Sequence, residues 1–178
     1  MARNPLRVCA YCLMPNHWHF VVWPEDDGQL ATFLQRLTVA RWARAKLRVG
    51  YGHVYQGRFK SFPVETDEYF YQVMRYVERN ALRANLAEDA GQWRWSSLWI
   101  REHGSAEQRA RLCDWPISRP RHWRQYVNEP ETEAELKALR HSVKRGTPYG
   151  SASWVKRTAS LLGLESTLRP RGRPRRLE

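Results

Sequence analysis

Two histidines one residue apart, His17-Trp18-His19, are the first side chains in this 178-residue chain whose type and spacing suggest chemistry. In a strand, alternate side chains leave from the same face, so both imidazoles can approach one ion while Trp18 points away. Alone this is half a metal site, and a chance His-x-His in a strand is the commoner case. Farther on, Gln72, Tyr76 and Asn80 recur every four residues and form one polar row on a helix. Alone, such a row is more often the flank of a packed face. Joined, two imidazoles, a side-chain amide and a helical phenol make up ligands for a metal and a nucleophile, which is what phosphodiester transesterification needs. A phosphodiester repels nucleophiles by its own charge, and a phenol with a pKa of about 10 is a weak nucleophile at neutral pH. A divalent ion would polarise the phosphoryl oxygen, steady the departing 3′ oxygen and favour the developing phenolate. Attack by Tyr76 gives a 5′-phosphotyrosyl ester and a free 3′ hydroxyl; because one ester replaces another, the strand can be rejoined without ATP.

Other residues point to a polyanion. The end of the chain sets Arg169, Arg171, Arg173, Arg175 and Arg176 around Gly172 and two prolines. Such an extended Arg-Gly-Arg-Pro segment can lie in the narrow minor groove of A·T-rich duplex DNA, with Arg171 and Arg173 facing inward. A generic basic tail that adds nonspecific affinity fits about as well. Arg58 and Lys60, in one phase of QGRFKSF, either hold a phosphate backbone or face solvent, and so does the row Arg75, Arg79, Arg83. The net charge is +12, and it is uneven: residues 1–139 hold 20 basic and 16 acidic residues, residues 140–178 hold 10 and 2. This reads as a mixed-charge globular unit with a basic arm, and nucleic acid is the expected partner.

The same sequence excludes other classes. No apolar run reaches the roughly 18 residues that span a bilayer, and the first residues lack the apolar core of a signal peptide. A cytoplasmic, nucleoid-associated protein is expected. Cys9, Cys12 and Cys113 are too few, and odd in number, for a disulfide framework. A zinc module on Cys9, Cys12, His17 and His19 is disfavoured, because residues three apart in a strand face opposite sides and His-x-His lacks the zinc-finger spacing.

The elements that must position these groups follow from the pattern. RVCAYCLM and HWHFVVWP read as strands of a hairpin turned at Pro15-Asn16. An amphipathic helix is expected over 28–49, then a strand over 53–64 weakened by Gly57 and closed by Pro63. A second helix begins after Thr66 as N-cap, with Phe70, Val73, Met74 and Val77 as its apolar stripe. The Trp-rich stretch 91–128 reads as irregular, its indoles either filling a core or stacking on unpaired bases. Helices follow over 131–143 and 152–162, with Gly163 as a C-cap. The segment from 168 onward has no core-forming residues and is expected to be disordered when free.

At this point a resemblance can be stated. YCLMPNHWHFVVWP, HVYQGRFKSFPVE, YVERNALRANL and WRWSS closely resemble the REP-associated tyrosine transposases, single-tyrosine members of the HUH endonuclease superfamily, over residues 7–100. Residues 143–176 resemble the C-terminal extension of the longer members. The resemblance implies that His17 and His19 are metal ligands, that Asn80 completes the metal site and that Tyr76 is the nucleophile. It also implies Mg²⁺ or Mn²⁺, single-stranded hairpin DNA, and the mobilising or processing of repetitive palindromic elements by a monomer or homodimer. The implied fold is α+β: a ferredoxin-like βαββαβ HUH sheet with helices on one face, a helical C-terminal extension and a basic tail. The expected domains are 1–100 (catalytic), 101–163 (extension) and 164–178 (tail). Relatives carry a further strand and helix ahead of the hairpin, so this chain reads as truncated, with a gap or an unpaired edge beside the histidine strand. Ala81 stands where relatives usually have Pro. A truncated relative that only binds DNA, without catalysis, is the alternative.

Overall fold

Two short apolar runs rich in aromatic and β-branched residues, joined by a Pro-Asn turn, can bury their faces only by pairing with each other. A computed structural model describes residues 6–38 and 59–170, and there they pair. Strands β1 (Arg7–Leu13) and β2 (Trp18–Trp23) run antiparallel, with Cys12 opposite His19 and Leu13 opposite Trp18. The Met14 N–H closes the turn on the His17 carbonyl at 2.9 Å. The register shifts between Val8 and Ala10, which places Cys9 in a bulge.

Among the described residues the sheet has these two strands, and the rest is mainly helical: a mixed α/β architecture. The strand expected over 53–64 lies partly outside the described residues, and 59–63 are irregular. Only Val64 makes a parallel bridge, to Tyr149. Pro63 has no N–H to give a ladder, which limits pairing at that point. The four-stranded ferredoxin-like sheet is therefore not seen among the described residues.

Contacts divide the chain into two units: Met1–Arg58 with Val73–Pro130, and Phe59–Gln72 with Glu131–Glu178. In the first, helix α1 (29–38) brings Phe33 edge-on to Phe20 of β2 at 5.6 Å between ring centres. Phe20 also meets Tyr11 and Trp18. Helix α2 (Glu68–Glu78) approaches through His19, whose neighbour Phe20 leaves from the opposite face of the strand. Helices thus meet both faces of the hairpin rather than one. Phe70, Val73, Met74 and Val77 of α2 are all buried, as their spacing predicts. The cap of α2 is Asp67 rather than Thr66: its carboxylate accepts the Tyr69 N–H at 2.9 Å.

The stretch 91–128 is more regular than its composition suggests. Helices α3 (Asn80–Arg83), α4 (Ser97–His103), α5 (Ala106–Arg109) and α6 (Trp123–Asn128) lie around a 3-10 turn at Ala90–Gln92. Ser96 caps α4, and Ser105 with Gln108 forms a capping box on α5. These residues also cover the edge of β1 that faces away from β2. Leu13 N–H donates to the Trp95 carbonyl at 2.9 Å, Trp93 Nε1 donates to the Leu13 carbonyl, and Cys113 N–H donates to the Val8 carbonyl. Arg101 and Trp115 both donate to the Cys9 carbonyl. The edge groups of β1 are thereby satisfied without another strand. β2 pairs with β1 alone among the described residues.

In the second unit, helix α7 (Glu133–Arg145) starts at a capping box of Thr132 and Glu135 and stops at Gly146, whose φ of 73° is left-handed. Helix α8 (Ala152–Leu161) ends as expected at Gly163, where the N–H groups of Gly163 and Leu164 return to the carbonyls of Ser160 and Ala159. A 3-10 turn, Glu165–Leu168, follows. Residues 168–170, part of the segment expected to be disordered when unbound, are described, and Arg145 donates to the carbonyls of Ser166, Thr167 and Arg169. No helix of the described residues is long and apolar enough to cross a membrane.

Candidate active site

Strand alternation puts His17 and His19 on one face of β2, and their rings lie 5.0 Å apart, edge to face. Helix α2 then lays Tyr76 against His19, at 6.0 Å between ring centres. The two histidines, expected from their spacing to share a face, and Tyr76 are together in the first unit. His17 is exposed and its Nδ1 lies 2.7 Å from Asn16 Oδ1. In the tautomer in which Nδ1 donates to that oxygen, Nε2 keeps the lone pair that a metal ligand needs. His19 is pushed down to about 4 by burial, and then by the charges of His17 and Arg83, so its imidazole is neutral at physiological pH.

Asn80 follows Tyr76 by four residues, at the start of α3. It is buried, and among the described residues its Nδ2 has no hydrogen-bond partner. The two ends of an amide have nearly the same shape, so the unpaired end can equally be an acceptor. Two imidazoles and one amide are, in donor type, a set that could hold a divalent ion. Magnesium prefers oxygen and imidazole suits manganese, so the set leans toward Mn²⁺. Among the described residues no group of three or more His, Cys, Asp or Glu is arranged for a metal. In the zinc alternative's set, Cys9 Sγ lies 3.5 Å from Cys113 Sγ, and Cys12 Sγ lies against Met14 Sδ.

The polar row on α2 does not act as one. Gln72 belongs to the second unit, where Tyr149 donates its hydroxyl to Gln72 Oε1. The basic row divides as well. Arg75 is buried with its guanidinium over Tyr126 at 4.3 Å, and Arg79 donates to the carbonyls of Val127 and Asn128. Both are packing residues, neither solvated nor facing phosphate. Arg83 differs: its guanidinium carbon lies 4.2 Å from the centre of the Tyr76 ring, and Nη2 donates to the Tyr76 carbonyl at 3.1 Å. Lys60 and Arg169 are exposed in the second unit; Arg58, Arg171, Gly172, Arg173, Arg175 and Arg176 lie outside the described residues.

Sequence reasoning missed Glu78, which is completely buried two residues after Tyr76. Ser97 Oγ approaches Glu78 Oε1 at 2.5 Å and Trp123 Nε1 donates to Oε2 at 2.6 Å. Burial raises its carboxyl above the usual range, and these two hydrogen bonds oppose the rise. The available signal was its register: Glu78 stands four residues after Met74 and eight after Phe70, on the helix's apolar stripe.

Residues 1–80, less than half of the chain, match the family model described as Transposase IS200 like. The match supports the transposase family. It spans both histidines, Tyr76 and Asn80, and it carries the implications of DNA as partner and of transposition or endonuclease activity. No curated protein and no solved structure matches the chain.

Proposed function

We propose that this chain nicks and rejoins single-stranded DNA at the hairpins of repetitive palindromic elements, with Tyr76 forming a 5′-phosphotyrosine link. The observation that carries this reading is the packing of Tyr76 against His19, itself edge-to-face with His17, inside the segment that matches the transposases. His17, His19 and Asn80 would hold Mg²⁺ or Mn²⁺. When bound, such an ion polarises the phosphoryl oxygen and stabilises the departing 3′ oxygen. The chain's own contribution is position. The hairpin carries both imidazoles on one face of β2, Asn16 meets His17 Nδ1, and α2 lays the Tyr76 ring against His19. Attack by Tyr76 Oη forms one phosphate ester as the bond to the 3′ oxygen breaks; the phenol gives up a proton and the 3′ oxygen gains one.

The test is incubation of the full chain with a labelled single-stranded hairpin oligonucleotide and Mn²⁺ or Mg²⁺, followed by a denaturing gel. A covalent protein-DNA band is expected from the wild type and none from Tyr76→Phe. Retained hairpin binding with no band from either protein would replace this reading with that of a DNA-binding protein without strand-transfer chemistry.

A further inference from the structure

Cys9 and Cys113 stand 104 positions apart in sequence, yet their sulfurs lie 3.5 Å from one another within the first unit. Cys9 sits at the bulge of β1, and Cys113 lies in the segment between α5 and α6. Hydrogen bonds hold the two backbones side by side: Cys113 N–H donates to the Val8 carbonyl at 2.9 Å, and Arg101 Nη2 donates to the carbonyls of both Cys9 and Cys113. Both thiols are free. Bonded sulfurs lie about 2 Å apart, so closing the pair needs a further approach of about 1.5 Å. Cys12 is the contrast: it is buried, and its sulfur lies against Met14 Sδ.

Access to the two thiols differs. Cys9 is buried, and burial, then Cys113, pushes its thiol up to about 12 against the pull of Arg101 and Arg7. Cys113 is half-buried, so a small reagent meets it first.

We propose that Cys9 and Cys113 are a redox pair that closes to a reversible disulfide by exchange with a low-molecular-weight disulfide, pinning β1 to the segment between α5 and α6. The Cys113 thiolate attacks one sulfur of the small disulfide; that S–S bond breaks and one small thiol leaves. Cys9 gives its proton to solvent and attacks the Cys113 sulfur of the mixed disulfide, expelling the second small thiol, which takes up a proton. Two protein thiols are oxidised and one small disulfide is reduced to two thiols. The pair is independent of the reading of Tyr76, because neither cysteine belongs to that site. A link between residues so far apart in sequence removes much of the freedom of the unfolded chain, so the folded chain should favour the bond over the unfolded one.

The test equilibrates the full chain with mixtures of reduced and oxidised glutathione, in native buffer and in urea, then alkylates the remaining thiols and maps the peptides by mass spectrometry. The native wild type is expected to give a linked Cys9 and Cys113 peptide pair, with Cys12 alkylated only after unfolding and all three thiols restored by dithiothreitol. The equilibrium constant for closing the pair should be at least about 30-fold larger in native buffer than in urea, the linkage counterpart of the stabilisation a native disulfide typically supplies. Cys9→Ser should stop at a glutathione adduct on Cys113, and if that variant does not fold, the wild-type comparison of native buffer with urea still decides. A smaller ratio, a wild type that stops at the mixed disulfide, or linkage mainly through Cys12 would overturn the proposal.

Discussion

Glu78 shows how a single buried group can tie α2, the helix of Tyr76, to its surroundings. The lone hydroxyl proton of Ser97 faces two acceptors, Glu78 Oε1 at 2.5 Å and the Tyr11 carbonyl at 3.2 Å, while Ser97 Oγ also accepts the Tyr11 N–H. If Glu78 carries a proton, the chain Glu78 to Ser97 to Tyr11 carbonyl is complete; if it is ionised, one acceptor loses its donor. Burial favours the protonated form in the folded chain, the direction in which its pKa moves. A carboxyl raised on folding adds stability fully below its unfolded pKa, and that contribution is lost as pH rises through the folded pKa. Glu78→Gln removes the titration while keeping a donor for Ser97 and an acceptor for Trp123. Denaturant melts across pH 4 to pH 9 should therefore show the stability of Glu78→Gln, relative to wild type, rising with pH by about 1.4 kcal/mol per unit of native pKa elevation. A difference that does not change with pH would mean that Glu78 titrates alike in the folded and unfolded chains.

At the scale of elements, the way α2 begins is decided by one side chain. Sequence reading places Thr66 as cap with Asp67 in the first turn, but the Tyr69 N–H goes to Asp67. Asp67→Ala should cost about 1 kcal/mol and speed hydrogen exchange in the first turn of α2, whereas Thr66→Ala should change either quantity little. The reverse ranking would restore Thr66 as cap. The comparison also marks what local sequence discloses. The hairpin, the apolar stripe of α2, the capping box at Thr132 and the stop at Gly163 are legible because their determinants sit within a few residues of one another. The cover on the outer edge of β1 is not: Trp93, Trp95, Arg101, Cys113 and Trp115 reach it across 80 or more residues of sequence. The buried sides of Arg75, Glu78 and Arg79 are hidden for the same reason. Arg75 and Arg79 look like exposed polar positions until α6 arrives to meet them, whereas for Glu78, on the apolar stripe, it is the partners on α4 and α6 that local sequence does not disclose. The site was partly legible because His17 and His19 are fixed by strand alternation alone, while the meeting of β2 with α2 is a tertiary event that spacing does not encode.

For the whole molecule, the uneven charge separates two modes of DNA contact that the site chemistry does not distinguish. Of the net +12, the segment 171–178 supplies four arginines and one glutamate, a net of +3, and Arg145 anchors the chain just before it through the carbonyls of Ser166, Thr167 and Arg169. Phosphate neutralisation adds affinity through counterion release, whereas the proposed transesterification is assigned to Tyr76 and the histidines. Removing residues 171–178 should therefore leave the Tyr76-dependent adduct intact at saturating hairpin DNA. Affinity for A·T-rich duplex should fall, with a log K against log salt slope shallower by up to about 3.6 if all four arginines contact phosphate. Comparing A·T-rich with G·C-rich duplex then separates the two readings of the tail. A minor-groove hook loses most of the A·T preference on deletion, because the arginines read the narrow groove's potential; a nonspecific arm loses equal affinity for both sequences. An unchanged salt slope would assign the duplex contacts to the remaining +9 of the chain, since 12 minus 3 leaves nine charges that still attract a polyanion.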